Sequence, residues 1–113
     1  MVQAKRWLIP GVILIVVGRL AAMGRLPRNP LVGIRLPSTL RSQEAWRAGH
    51  VAGATALTVA GIGELGLAAL DAANLPQFEN RPLLSRVGTA WLLGWLGVAT
   101  MQARRAAKVA NLN

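Results

Sequence analysis

Groups able to move protons or hold metals are few here: one His, four Asp and Glu and no Cys in 113 residues. His50 and Glu64 are the types suited to acid–base work, but on one helix their 14-residue separation puts them about 21 Å apart. The missing Cys excludes a disulfide scaffold, a thiolate zinc site and a Cys nucleophile. The chain is therefore expected not to be an enzyme and to need no metal or cofactor. Glu64 draws attention for another reason. The stretch from Ala48 to Leu70 is rich in Ala and Gly and is interrupted only by His50 and Glu64. A carboxyl group inside an apolar span is costly and needs a reason to be there. Glu64 lies about 9 Å in from the end of its stretch, and Arg86 about 4–5 Å in from the same face. The spacing predicts an intramembrane charge pair, Glu64–Arg86, that locks the second helix to the third; the alternatives are a proton or substrate site at Glu64 and a carboxylate that faces a partner. Arg19 differs from Glu64 by roughly 15 Å in depth and is expected to reach back to the nearer surface. His50, one turn after Trp46, reads as an interfacial hydrogen-bonding group.

The elements that must position these groups follow from hydropathy. The composition is 53% hydrophobic and the mean hydropathy is +0.40, yet the net charge is +9. Such a pairing is easiest when apolar runs lie in lipid and cations lie in the connections. Three stretches qualify, at about residues 7–23, 48–70 and 83–103. The expected architecture is an all-α, three-helix transmembrane bundle forming one domain over residues 1–113. Lys5 and Arg6 ahead of an apolar run also fit a cleaved signal peptide, but Arg19 interrupts the region leading to a cleavage site. The first loop carries Arg25, Arg28, Arg35, Arg41 and Arg47, and the tail carries Arg104, Arg105 and Lys108. Lys5, Arg6 and Arg81 lie on the other side. The positive-inside rule then places the first loop and the C-terminus in the cytoplasm and the N-terminus outside. A pI of about 12.0 suggests nucleic acid at first sight, but the cations flank apolar spans without interleaved aromatics, so no nucleic-acid partner is expected.

Locally, the loop is Pro-punctuated by Pro27, Pro30 and Pro37 and feeds a helix with Ser42 as its cap and Glu44 in its first turn. Gly49 and Gly53, extended by Ala52, Ala56 and Ala60, form a small-residue stripe for close helix packing, more simply within the chain than between chains. On the third helix Trp91 and Trp95 make a ridge beside Ala90 and Gly94. The Arg residues of the loop suit topology setting and contact with anionic headgroups.

Asn29, Gly33, Ile34, Arg35, Thr39, Leu40, Glu44, Trp46, His50 and Gly53 together resemble the signature of the SdpI family of bacterial integral membrane proteins. Its pattern runs Asn-x-x-x-Gly-Ile/Val-Arg-Thr-x-x-Thr-Leu/Met, then an acidic residue, Trp and a downstream Gly. Leu36 departs from it where Thr is usual, and Val51 where a basic residue often follows. The resemblance implies a multi-pass protein of the bacterial plasma membrane, of immunity type, that resists a membrane-active peptide by binding it. The alternative is an accessory subunit of a larger membrane complex. The expected partners are thus the lipid bilayer and either a peptide toxin or such a complex, with the oligomeric state undetermined.

Overall fold

The computed structural model describes residues 2–29, 33–73 and 81–112. Pro30 to Val32 of the first loop, Glu79 and most of the second connection, and the side chains of Lys5, Arg6 and Arg81 lie outside the described residues. Three long helices carry the fold: α1 (Val2–Ala22), α3 (Gln43–Ala73) and α4 (Arg81–Ala110), with a single turn, α2 (Pro37–Leu40), inside the first loop. At 31 and 30 residues, α3 and α4 are each about 45 Å long, which accounts for most of the 55 Å length of the molecule.

The expectation of an all-α fold holds, and among the described residues there is no strand. The three expected spans fall on the three long helices, but among the described residues only α3 combines the length and apolarity needed to cross a bilayer. The apolar part of α1, Trp7–Ala22, is shorter. In α4 the charge-free run from Val87 to Met101 is bounded by Arg86 and by Gln102, Arg104 and Arg105. The short helix α2 was not anticipated. Pro37 opens it, in the position where a missing N–H costs nothing and φ is already helical.

Small residues decide how the helices meet. A Cβ at Gly11 would lie 3.0 Å from the Gly61 carbonyl oxygen, and one at Gly18 would meet Thr58. On the other side of α3, Gly49 faces Ala103 and Gly53 faces Ala99, each backbone to backbone. Both contacts run antiparallel. Hence α3 is the central element, with α1 and α4 packed along it and scarcely touching one another. Their meeting point is Trp7 against Gly88, where Leu67 of α3 also approaches. The stripe of Gly49, Gly53, Ala56 and Ala60 is wholly buried inside the chain.

Alpha1 ends where Gly24 takes φ +67. The Gly24 N–H then donates to the Ala21 carbonyl at 3.0 Å and the Arg25 N–H to the Leu20 carbonyl at 2.8 Å. These two bonds form a Schellman cap, which turns the chain sharply into the loop. Alpha3 starts at Ser42, whose Oγ accepts the Ala45 N–H at 3.0 Å. The main hydrophobic cluster sits at this end of the molecule, around Val17, Leu26, Ile34, Trp46, Leu57, Ala99 and Ala103.

Candidate functional site

The loop between α1 and α3 is irregular backbone pressed against three helices, so its buried N–H and C=O groups need partners from side chains. Those partners are the residues singled out in the sequence. The Ile34 N–H donates to His50 Nε2 at 2.8 Å, and the Ile34 carbonyl accepts the Thr39 hydroxyl at 2.8 Å. The same Thr39 oxygen accepts the Leu36 N–H at 2.9 Å. Trp46 donates its indole N–H to the Leu26 carbonyl at 2.9 Å. Asn29 folds its amide onto the Pro27 carbonyl at 2.8 Å.

His50 is the hinge of this network. A backbone N–H can only donate, so Nε2 must accept and the ring proton sits on Nδ1. From there it donates to the Trp46 carbonyl at 2.7 Å. Both ring nitrogens of the neutral imidazole are thereby occupied, which leaves none for a metal or a proton relay. The ring also stacks on Trp46, with centroids 4.1 Å apart at 33°. Gly33 makes this possible. Its φ of +120 suits glycine, and a Cβ there would come within 2.7 Å of His50 Nε2.

The motif thus separates into three groups. Thr39, Trp46, His50, Ile34 and Gly53 are buried, and they hold the loop on α3. Gly33 and Asn29 shape the loop's path, while Leu40 is half-buried against the cluster. Arg35 and Glu44 alone among the charged members point out and are exposed. Sequence reasoning found these positions without finding their bonds. It also missed the counter-surface on α4. The packed residues there are Ala99, Ala103 and Ala107, spaced four apart, while Gly94 faces open space and Ala90 is exposed. Trp91 lies over Gly63 and donates to the Val59 carbonyl at 3.2 Å.

The expected Glu64–Arg86 pair is not formed. Glu64 is 1% exposed and its Oε1 has no hydrogen-bond partner, whereas Arg86 is exposed. The reason is helical phase. Leu84 and Gly88 are buried, Gly88 against Leu67 of α3 and Trp7 of α1, and Arg86 stands two residues from each, about 200° around the helix. Matching depth along two helices does not bring two side chains to the same seam. Among the described residues no cluster of three His, Asp or Glu side chains could hold a metal ion.

The antiparallel arrangement brings the loop and the end of α4 together, with Asn111 Nδ2 donating to the Ser38 carbonyl at 3.1 Å. Arg25, Arg28, Arg35, Arg41, Arg47, Arg104, Arg105 and Lys108 therefore gather at one pole, all exposed. The model of the SdpI/YfhL protein family matches residues 25–102, from this loop through most of α4. The chain belongs to the SdpI/YfhL family. No curated protein and no solved structure matches it. Family membership and the long apolar α3 make this a membrane protein of the SdpI type.

Proposed function

We propose that this SdpI-type protein crosses the bacterial plasma membrane three times and confers resistance to a membrane-active peptide by binding it, without catalysis. The observation that carries this reading is the cationic pole at the end of an apolar shaft. Eight cations gather there, while Leu8, Ile9, Val12, Val16, Leu93 and Met101 stand exposed along α1 and α4. Apolar side chains facing outward on both flanking helices suit a lipid surround. The pole then sits in the cytoplasm, with the N-terminus outside. Among the motif residues, Arg35 and Glu44 are the charged groups free to meet a partner, since the buried members are occupied with the loop.

Two measurements test this. The chain has no Cys, so single substitutions report topology cleanly. In sealed vesicles Arg41→Cys and Leu112→Cys should label from the same side and Glu79→Cys from the other; any other pattern overturns the three-span arrangement. A deletion strain should be sensitised to particular membrane-active peptides, with resistance restored by the wild-type chain and not by a double Arg35→Gln, Glu44→Gln variant. If instead a pull-down in mild detergent recovers a partner in equal amount and the deletion shows no peptide phenotype, the chain is an accessory subunit.

A further inference from the structure

Alpha1 and α4 flank α3 and scarcely pack on one another beyond Trp7 and Gly88, and this leaves a cleft between them toward the loop. Ile13 and Val17 form one wall, Leu96 and Thr100 the other, and Leu57 of α3 the floor. At the loop end the cleft is closed by the Gly33–Leu36 backbone, with Arg35 at its rim. Thr100 turns its hydroxyl onto the Leu96 carbonyl of its own helix, at 2.8 Å, so it offers the cleft little polarity. The volume is about 450 Å³. A slender hydrocarbon chain fits such an apolar cleft, and a ligand so seated would bring its head to an exposed guanidinium in a strongly cationic pole.

We propose that this cleft holds one acyl chain of an anionic phospholipid, with its phosphate on Arg35. Apolar walls match the tail, and a guanidinium binds phosphate through paired N–H donors in a geometry that an ammonium lacks. The buried motif residues acquire a purpose in this arrangement. By clamping Ile34 from both sides, His50 and Thr39 fix the backbone on which Arg35 stands, one residue further on. The inference rests on the membrane placement proposed above, but not on peptide resistance.

The test is native mass spectrometry of the full chain, extracted in mild detergent from vesicles of equal phosphatidylglycerol and phosphatidylcholine. The wild type should retain a single phosphatidylglycerol, about tenfold over phosphatidylcholine, and Arg35→Gln should remove that preference, as the loss of one charge-assisted hydrogen-bonded contact predicts. Arg28→Gln, on the same loop, should change nothing. Ile13→Trp adds bulk at an exposed wall position, should leave the helical melting curve unchanged, and should lower retention of both lipids. Equal retention of the two lipids by the wild type overturns the proposal. So does an effect of Arg28→Gln equal to that of Arg35→Gln, which would mean diffuse surface attraction. Retention indifferent to Ile13→Trp assigns the phosphate without the tail and also overturns it. A chain that fractionates with membranes yet shows no selectivity removes the cleft assignment and leaves the proposed function standing, whereas one absent from membranes removes both.

Discussion

At the loop end of the molecule His50, Thr39 and Trp46 are fully buried, and each bonds a named backbone group with its polar atoms. About 21 Å along the same helix Glu64 is just as buried, and its Oε1 meets nothing. The contrast separates two uses of a buried polar side chain. Where irregular backbone must be covered, side chains replace the missing secondary-structure partners, and the network defines one conformation. Where the surroundings are regular helices, every backbone group is already satisfied, so a carboxyl group gains no structural role from them. It remains a cost to the fold, of the kind retained where function requires it.

The comparison can be broken most directly at His50. His50→Ala removes the acceptor of the Ile34 N–H, the Trp46 stack and the volume of the ring. Unfolding in detergent should show a loss of about 3–4 kcal/mol, with the loop released from α3. A loss under about 1 kcal/mol would mean that the loop is held elsewhere. Next in size, and opposite in sign, is Glu64→Leu. Removing a buried carboxyl whose Oε1 has no partner should stabilise the chain by about 2 kcal/mol in the same assay, and a loss instead would reveal that the group has a partner in the detergent-solubilised chain. If peptide resistance falls while stability rises, Glu64 is functional. The smallest effect is expected from Arg86→Gln. An exposed side chain outside the helix seam should change stability by less than about 0.5 kcal/mol, so a loss as large as that from breaking a buried pair would restore the Glu64–Arg86 contact.

The helices were legible because apolar runs and their interruptions act locally. Ser42 sits where a helix start requires it, and Gly49, Gly53, Ala56 and Ala60 advertise close packing through spacing alone. The motif positions were also legible as positions. Their bonds were not, because Ile34 and His50 are joined across 16 residues and by a loop with no periodic pattern. The counter-stripe on α4 was visible in principle, as Ala99, Ala103 and Ala107 repeat at intervals of four. Trp91 and Trp95, the bulkier residues nearby, drew the packing assignment away from it to the ridge they make beside Ala90 and Gly94.

The sequence by itself determined a helical chain without a thiol, its cations segregated from its apolar runs, and membership in the SdpI/YfhL family. Composition and short-range spacing suffice for those, since each depends on residues a few positions apart. Tertiary structure alone decided that α1 and α4 scarcely meet near the loop, leaving a cleft below Arg35. It also decided that His50 is a neutral, doubly bonded anchor and that Glu64 stands without Arg86. Those outcomes depend on the rotation of each helix about its own axis. Depth along a span can be counted from the sequence, but the phase of one helix against another is set by which small residues interlock.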